Sequence, residues 1–510
     1  MNYDLLIKNA KIITMDQDLS HSEWVGVKDG KIAAVGSGEV NGEATKMIDL
    51  GGKTVLPGLT DCHTHPILTG LCMNSVDLSG AKTIDEVLSL MKSGAESKKD
   101  GEWIFGVNFL PQLVKENRYP NRHELDNVCT TNPMMIFAAT FHGSSINTKA
   151  MDVCQVPEDM PGVEKENGDV LGVYISDESS FLATYNALGS LDDEIIWGYI
   201  KDWADFAASN GVTVAHGFFS MLVAGDKDLK LILARKDELP IEVVVFYQTW
   251  NVDEAVALGL PRVGGCLTLD GSPFEYTAAN FEPYTSEPSM RGVLYHNDAE
   301  VYDVVSKAHA NNMQTALHAV GERAIDQLMY TYDRVIKEQG KKDLRHRIEH
   351  FTLPTESQIK MAAELGIVLS MQPGIPYTWD LPEGGSMEFL MGRERADRMD
   401  PYPKIIEAGN IICAGSDTPV TKMNPLIDIA SCVNSPNPIR NISVDNALKM
   451  LTNHAAYAGH LEGRKGSIEV GKDADFTIID RDPYAYANSK EIYDMELLYT
   501  IREGQIIYQK

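Results

Sequence analysis

Two histidines stand two residues apart in the segment DCHTH, at positions 63 and 65. In an extended chain, residues i and i+2 project to the same side, so the imidazoles of His63 and His65 can reach a single metal ion. The pair alone does not decide between a metal site and two histidines with a structural role. That decision depends on the other histidines and carboxylates of the chain.

Three further candidate ligands each lie at the end of an apolar, β-rich run. His318 closes MQTALHAV, His350 closes RHRIEHF, and Asp417 follows NIICAGS. A lone histidine on an apolar strand is more often a core residue, but imidazoles and carboxylates gathered at strand ends are donors that zinc and similar divalent ions select. We therefore predict a divalent metal site with zinc as the ion, formed by these three residues with His63 and His65.

The elements that must position these residues are eight predicted buried strands, several of them separated by helical segments such as 300–312, 322–340 and 356–366. Eight strands with intervening helices are typical of a (β/α)8 TIM barrel, in which active-site residues lie at the carboxyl ends of the strands. The predicted strands cover residues 54–62, 211–218, 241–248, 263–269, 313–320, 345–351, 366–372 and 410–416.

Both ends of the chain are rich in short strands, and the alternation and Asp-Gly turns of the first 56 residues favour antiparallel pairing. We predict a small composite β-sandwich domain from residues 1–56 and 459–510, and a catalytic barrel domain over 57–458. The stretch 71–205 has strand-like runs and a helix of its own. It is predicted to be an insertion after the first barrel strand, lying over the barrel mouth.

Composition excludes several classes of function. The chain has 510 residues, 44% of them hydrophobic, and a formal net charge of −28, which disfavours nucleic acid as a partner. Its seven cysteines form no CxxC pair, which argues against a disulfide framework or a zinc finger. No apolar run is long enough for a membrane span, and the N-terminus lacks the regions of a signal peptide, so we expect a cytoplasmic protein.

Several motifs resemble those of the amidohydrolase superfamily, in its family 3 branch, which includes N-substituted formamide deformylases. PGLTDCHTH resembles the first-strand signature, HAVGERAID the fifth, RIEH the sixth and AGSDTP the eighth. FHGSSINTKAM, LDGSPFEYTAAN and RKGSIEVGKDADFTIID are similar to further segments of that branch. The resemblance extends over nearly the whole chain.

The resemblance implies a barrel beside a β-sandwich, with one or two metals in the barrel mouth. His63 and His65 would bind the more buried metal together with Asp417, and His318 and His350 would hold the second. The implied reaction is attack of a metal-bound hydroxide on a carbonyl or similar carbon. Asp417 would take the proton from the water and pass it to the leaving amine.

The sequence departs from the family pattern at PRVGGCLTLDGSPFE, residues 261–275. Where the branch often has a carboxylated lysine that bridges two metals, four residues before the aspartate of the DGS segment, this chain has Cys266. Thiolate is a strong zinc ligand, and D-aminoacylases are similar in having a cysteine near their metals. We predict that Cys266 is a metal ligand; the alternative is a cysteine that only fills space beside a single metal.

Other residues are weaker candidates. His142, in FHGSSINTKAM, resembles a substrate-contacting segment, and Gln372, Tyr377 and Trp379 follow the seventh strand, where aromatic loop residues favour an apolar or aromatic pocket. Each of these residues could also have a purely structural role. We predict that His216 and Glu322 support the metal-ligating residues from behind. The alternatives are that His216 serves packing alone and that Glu322 alters selectivity.

The sequence thus predicts a metal-dependent hydrolase of a carbon–nitrogen bond in an amide, formamide or cyclic amide, acting on a small molecule. A deaminase or a hydrolase of another bond type is the first alternative, because fold and ligands do not choose among substrates. A non-catalytic binding or regulatory protein that keeps the barrel is the second, and the intact ligand set argues against it. The sequence leaves the oligomeric state open, a homo-oligomer included.

Overall fold

A computed structural model describes residues 2–40, 42–139, 141–379 and 386–510, with the side chains of Asp177 and Trp379 excepted. Clustering of contacts divides the chain into two compact units. One consists of Met1–His65, Ala204–Phe218 and Asp237–Lys510, and the other of Pro66–Trp203 and Phe219–Lys236. Within the described residues, no helix has the length and apolar character needed to cross a membrane.

The first unit contains a sheet of eight strands that are parallel wherever their pairing is described, and the predicted TIM barrel is thereby confirmed. Each strand overlaps one of the eight predicted runs. We number them barrel strands 1 to 8 in chain order: Leu59–Thr64, Val212–Phe219, Glu242–Tyr247, Arg262–Thr268, Gln314–Ala319, Arg347–His350, Val368–Met371 and Ile411–Ala414.

Helices follow the later barrel strands and bury their apolar faces against them. Leu317 and Ile348 of the strands share one buried cluster with Leu328 and Ile359 of the helices, which is the alternation that a parallel sheet requires. The helix after Thr355 ends at Gly366, which adopts a left-handed conformation suited to glycine. The helices of this unit are Val252–Ala257, Asp298–Ala310, Glu322–Gln339, Glu356–Leu365, Gly374–Trp379, Ser386–Met391, Arg393–Arg398, Tyr402–Glu407, Pro425–Val433, Val444–Leu451, Asn453–Ala458 and Pro483–Tyr486.

The two chain ends build a pair of sheets in the same unit. Buried residues from both ends, among them Ile7, Val27, Phe476 and Ile501, form one apolar cluster, as expected for a β-sandwich. The four-stranded sheet has the order Lys31–Gly36, Trp24–Lys28, Asn2–Lys8, Glu43–Asp49. The six-stranded sheet has the order Gln505–Gln509, Leu497–Arg502, Phe476–Ile479, Thr54–Pro57, Lys11–Ile13, His21–Ser22.

Strand pairing near the N-terminus is only partly antiparallel, contrary to the expectation from the sequence. The hairpin through Asp29 and Gly30 is antiparallel. Asn2–Lys8, however, pairs in parallel with Glu43–Asp49. An intervening hairpin separates these two strands along the chain, and a long connection of this kind permits parallel pairing.

The predicted strand 54–62 is two strands, divided at Gly58. Thr54–Pro57 belongs to the sandwich and barrel strand 1 begins at Leu59. Gly58 lies so close to its neighbours that a Cβ there would be 2.3 Å from the Thr213 hydroxyl. A proline and a glycine together therefore mark the passage of the chain from the sandwich into the barrel.

The second unit has its own six-stranded sheet and helices, which include the strand-like runs predicted in 71–205. The predicted domain boundaries and the position of this insertion stay predictions. The strand order is Val163–Glu166, Asp169–Tyr174, Ser144–Ile146, Met134–Ala138, Ile104–Phe109, Val76–Asp77. The helices are Pro66–Met73, Ile84–Ala95, Arg122–Asp126, Thr148–Cys154, Asp177–Gly189 and Lys227–Arg235, while Asp193–Ser209 is shared with the first unit.

Candidate metal centre

Six side chains that the sequence singled out come together in the first unit, and we call them the donor cluster. They come from barrel strands 1, 4, 5, 6 and 8 or from residues just beyond the carboxyl ends of these strands. All are buried except His65, whose side chain is 12% exposed. The donor cluster consists of His63, His65, Cys266, His318, His350 and Asp417.

The donor atoms form three overlapping triads, within each of which they lie at most 4.8 Å apart. Cys266 Sγ lies 3.6 Å from His318 Nδ1 and 3.8 Å from His350 Nε2. Cys266 also shares a triad with the two histidines of strand 1, so that it stands between two groups of imidazoles. The triads are His63, His65 and Cys266; Cys266, His318 and His350; and His63, His350 and Asp417.

Hydrogen bonds between barrel strands 1 and 8 hold three of the donors in register. The Asp417 N–H donates to the His63 carbonyl at 2.8 Å, and the His65 N–H donates to the Thr418 carbonyl at 3.1 Å. The buried Asp61 carboxylate accepts from the backbone N–H groups of His63 (3.1 Å) and Ser416 (2.9 Å). Burial raises the pKa of Asp61 to about 6, against the opposing effect of these hydrogen bonds.

A bulge in barrel strand 4 carries Cys266 into the cluster. Gly264 pairs with Ala316 of strand 5, but the next pair is Leu267 with Leu317, so Gly265 and Cys266 are extra residues on strand 4. Gly264 and Gly265 have φ values of 97° and 116°, where a Cβ would lie 2.0 Å from the Ala316 carbonyl oxygen and 2.7 Å from the Phe218 ring. Two consecutive glycines therefore permit the bulge, and the bulge sets the position of the thiol.

Acceptors outside the cluster orient two of its imidazoles. His350 Nδ1 lies 2.7 Å from Gln372 Oε1, and the amide NH2 of Gln372 donates to the Ser370 carbonyl. The Gln372 oxygen is therefore an acceptor, and His350 turns its Nε2 toward Cys266. His318 Nε2 lies 3.4 Å from the Gly271 carbonyl oxygen, which leaves His318 Nδ1 for the cluster.

A buried ion pair orients the third imidazole. His63 Nδ1 lies 2.8 Å from Glu349 Oε2, and Arg347 donates to both oxygens of that carboxylate. Burial alone would raise the pKa of Glu349, but the Arg347 charge and the hydrogen bond from His63 hold that pKa below its ordinary value. Glu349 is therefore an ionised acceptor at the back of His63.

The cluster perturbs the thiol and the carboxylate within it. Burial favours a raised pKa for Cys266, but the neighbouring imidazoles of His318, His350 and His63 outweigh it and bring the pKa well below the ordinary value. Burial likewise favours a raised pKa for Asp417, and the neighbouring charges of His63 and His65 hold that pKa well below its usual range. Both groups are therefore suited to act as anionic ligands.

The donor cluster fits a divalent metal ion. His63 Nε2 is buried 3.3 Å from Asp417 Oδ1 without making a hydrogen bond. A buried polar atom without a partner costs free energy, and a metal ion bound there would supply the partner. Imidazole nitrogens, a thiolate and a carboxylate within 4.8 Å of one another are, moreover, a donor set typical of zinc and related ions.

Backbone conformation at two donors is unusual. His350 has φ of 74° and Asp417 has φ of 58°, both in the left-handed region that side chains other than glycine seldom adopt. Such conformations persist only where the surrounding structure enforces them, and they cluster at functional sites.

Two of the weaker candidates lie near the cluster. Gln372 is 4% exposed, and its amide contacts His350 and the backbone of Ser370. Gln372 therefore supports a donor, and its contact with substrate stays a prediction. His216 is buried in barrel strand 2 and lies 2.7 Å from Arg347, which places it three hydrogen bonds away from His63.

The remaining candidates make other contacts. Tyr377 stacks on Tyr493 in a cavity of about 300 Å³, and the described residues that line this cavity include no member of the donor cluster. The Glu322 carboxylate accepts from the Phe281 N–H and pairs with Arg398. The predicted substrate and support roles of Tyr377 and Glu322 stay predictions.

Two further candidates for substrate contact are Trp379 and His142. The side chain of Trp379, at the end of Gly374–Trp379, lies outside the described part of the chain. His142 belongs to the second unit, where its ring lies 5.9 Å from that of Phe181. A substrate contact by either residue remains a prediction.

Sequence reasoning missed Arg347 and Glu349, although both lie in the quoted motif RIEH. It also missed Asp270, whose buried carboxylate accepts from the N–H groups of Ala279, Val320 and Gly321 and so fixes the loop that follows His318. For Arg347 and Glu349 the available signal was a pair of opposite charges at positions i and i+2 in a strand predicted to be buried, because such residues are buried only when they are paired.

The comparison with known families agrees with the motifs. The model of the amidohydrolase family matches residues 46–508, and the chain therefore belongs to that family. It is accordingly an enzyme that hydrolyses carbon–nitrogen bonds, with a donor set suited to a divalent metal ion. The resemblance drawn from the sequence is confirmed.

Individual relatives match over almost their full length. N-substituted formamide deformylase of Arthrobacter pascens is 28% identical, over 99% of this chain and 98% of the relative. The putative amidohydrolase YtcJ of Bacillus subtilis is 25% identical over 98% of each chain. The solved structure of an uncharacterized metal-dependent hydrolase from Pyrococcus furiosus has a TM-score of 0.78 at 24% identity, covering 94% of this chain and 99% of the other, and shows that the fold is shared.

Proposed function

We propose that this enzyme is a zinc-dependent hydrolase of an amide-type bond in a small molecule, with N-substituted formamides as the first substrate class to test. The observation that carries the proposal is the donor cluster, whose ligands are proposed to be His63, His65, Cys266, His318, His350 and Asp417. Similarity to the N-substituted formamide deformylase of Arthrobacter pascens supports the formamide class. Amides and cyclic amides are the next classes.

The overlap of the triads at Cys266 supports a centre for two ions. Cys266 Sγ is within reach both of the strand 1 histidines and of His318 and His350. In this proposal Cys266 would be the donor common to the two groups of imidazoles that hold the ions, and the site would need no carboxylated lysine. Thiolate donors favour zinc over harder ions such as magnesium.

The proposed reaction assigns the proton transfers to Asp417. When bound, zinc lowers the pKa of coordinated water and polarises the substrate carbonyl. The Asp417 carboxylate, held 3.1 Å from His65 Nε2 and 3.3 Å from His63 Nε2, accepts a proton from the attacking water. As the carbon–oxygen bond forms and the carbon–nitrogen bond breaks, Asp417 returns that proton to the leaving nitrogen, which yields a carboxylic acid and an amine.

A substrate panel tests the reaction. Wild-type enzyme and Asp417→Asn should be compared on N-formyl amines, simple amides and cyclic amides, with release of the amine as the measurement. We expect turnover of at least one class by the wild type and a loss of roughly 10²- to 10⁴-fold in kcat in the variant, because the base is removed without a change of shape. Hydrolysis that proceeds equally well in Asp417→Asn would refute the assigned role, and release of ammonia from an amino-substituted ring would favour a deaminase.

Metal analysis tests the centre. Protein purified without added metal should contain about one to two zinc ions per chain. Cys266→Ala should lose metal, whereas Cys432→Ala, which removes another buried thiol outside the cluster, should keep it. A folded, metal-free wild type would contradict the proposal, and unchanged metal content with unchanged activity in Cys266→Ala would show that the sulfur is not a ligand.

A further inference from the structure

Four buried side chains form a continuous hydrogen-bonded series from barrel strand 2 to barrel strand 1. His216 Nδ1 lies 2.7 Å from Arg347 Nη1, Arg347 binds Glu349, and Glu349 Oε2 lies 2.8 Å from His63 Nδ1. All four residues have zero relative exposure. The series ends at a member of the donor cluster.

Arg347 is the centre of this series and donates from all three of its side-chain nitrogens. Its Nε and Nη2 donate to the two oxygens of Glu349 at 2.7 and 2.8 Å. Nη2 also contacts Ser370 Oγ at 2.9 Å and the Cys62 carbonyl at 2.8 Å. Because a guanidinium only donates, His216 Nδ1 must be the acceptor of Nη1, and His216 is thereby fixed as a support for Arg347.

The same reasoning fixes the tautomer of His63. A carboxylate that is held by two guanidinium donors is ionised and can only accept, so the Nδ1 of His63 carries the proton. The Nε2 lone pair then points into the donor cluster, where Nε2 lies 3.3 Å from Asp417 Oδ1. A carboxylate behind a ligating imidazole both orients the ring and makes its other nitrogen a stronger base.

We infer that Glu349, held by Arg347 and His216, is a positioning residue that fixes His63 in the tautomer whose Nε2 binds the metal. This inference rests on the proposed metal centre. It goes beyond that centre by assigning function to a buried ion pair that contributes no ligand. If the pair had a structural role alone, its removal would change folding stability and leave both the tautomer and the metal affinity as they are.

Glu349→Gln tests the inference, since it keeps the size of the side chain and removes the charge that makes it an obligate acceptor. The matched control is Glu462→Gln, which disrupts another bidentate pair, that of Glu462 with Arg345, two residues before Arg347. Zinc affinity, measured by competition with a chelator, should fall roughly 10- to 100-fold in Glu349→Gln and stay at the wild-type value in Glu462→Gln. Cobalt-substituted protein should show a changed absorption spectrum in Glu349→Gln only.

The tautomer can be read directly in metal-free protein by 15N NMR of the imidazoles, with His63→Ala identifying the signal of His63. At a pH high enough for the His63 imidazole to be neutral, we expect the proton on Nδ1 in the wild type and a shifted tautomer balance in Glu349→Gln. A wild-type His63 that carries its proton on Nε2 would overturn the inference without reference to any variant. Wild-type affinity with an unchanged tautomer in Glu349→Gln would overturn it as well.

Loss of the carboxylate charge leaves Arg347 buried without a counterion, and this can prevent folding. The double variant Arg347→Met with Glu349→Gln removes both charges and is expected to fold and to bind zinc more weakly than the wild type. Wild-type affinity in the double variant would overturn the inference. A wild type that binds no metal would instead refute the proposed centre. The tautomer of His63 in metal-free protein would still show whether Glu349 orients that imidazole.

Discussion

Two clusters of polar and charged side chains among the described residues of the first unit differ in how their charges are balanced. In the donor cluster, nitrogen, sulfur and oxygen acceptors face one another. In the second cluster, which we call the ion cluster, every carboxylate faces a lysine or an arginine. The ion cluster consists of Lys31, Glu242, Arg464, Lys465, Asp473 and Asp475.

The two clusters also lie at different ends of the barrel strands. Glu242 begins barrel strand 3, whereas the donors lie toward or beyond the carboxyl ends of their strands. Lys465, 5% exposed, contacts Asp475, lies 3.1 Å from Asp473 and lies 3.3 Å from Glu242. The ion cluster is complete within the chain and serves stability, while the donor cluster needs a cation from outside, as a binding site does.

Removing the central cation of the ion cluster should have the largest effect on stability. In Lys465→Met, three carboxylates lose a shared partner, so we expect the free energy of unfolding in urea to fall by about 3–5 kcal/mol. Zinc content per folded chain should not change. The control Lys337→Met removes an exposed pair with Asp333 and should cost at most about 0.5 kcal/mol. A loss of zinc from folded Lys465→Met would contradict the separation of the two clusters.

Removing the metal ion from the donor cluster should have the next largest effect on the free energy of unfolding. Dialysis against a chelator should lower the free energy of unfolding by about 3 kcal/mol relative to protein in free zinc at about 100 times its Kd. The increment should be the same in Lys465→Met, because sites that share no partners are additive within about 0.5 kcal/mol. Equal unfolding curves with and without zinc would show that the cluster binds no ion in the folded state.

The pH dependence of stability that comes from the buried His346 should be a smaller effect. His346 Nδ1 accepts from the Thr315 N–H at 3.1 Å and its Nε2 lies 3.0 Å from His309 Nδ1. Burial, together with the neighbouring His309 and Lys342, lowers the pKa of His346 to about 3.

Because this pKa lies below that of the unfolded chain, only the unfolded state takes up the proton as the pH falls below about 6.5. Stability from His346 is therefore complete above about pH 6.5 and decreases steadily toward pH 3. Between pH 7 and pH 5 we expect a loss of about 2 kcal/mol in urea unfolding that His346→Gln does not show. Equal pH dependence of wild type and variant would contradict the buried, neutral state of His346.

The barrel and five of the donors could be predicted because their signals are local. Apolar runs mark the barrel strands, and His63, His65, His318, His350 and Asp417 each stand at the end of such a run, where parallel strands bring them together. Cys266 was predicted through its departure from a family pattern.

Features that depend on three-dimensional contacts could not be predicted in the same way. The contact between Gln372 and His350 joins residues of two different strands, and only the position of His350 shows that the Gln372 amide faces a donor. The division of strand 54–62 at Gly58 follows from a close approach to Thr213, which lies far away in the sequence. The parallel pairing of Asn2–Lys8 with Glu43–Asp49 likewise depends on the path of the chain between these two strands.

Because of the bulge in barrel strand 4, substitutions at Gly264, Gly265 and Cys266 depend on one another. The short side chain of Cys266 reaches the cluster from the backbone position that the bulge sets. A lysine at position 266 would carry its terminal group past the location of Sγ, and a larger residue at either glycine would close the bulge. An evolutionary or engineered exchange of thiolate for another bridging ligand therefore requires coordinated substitution of both glycines and the cysteine.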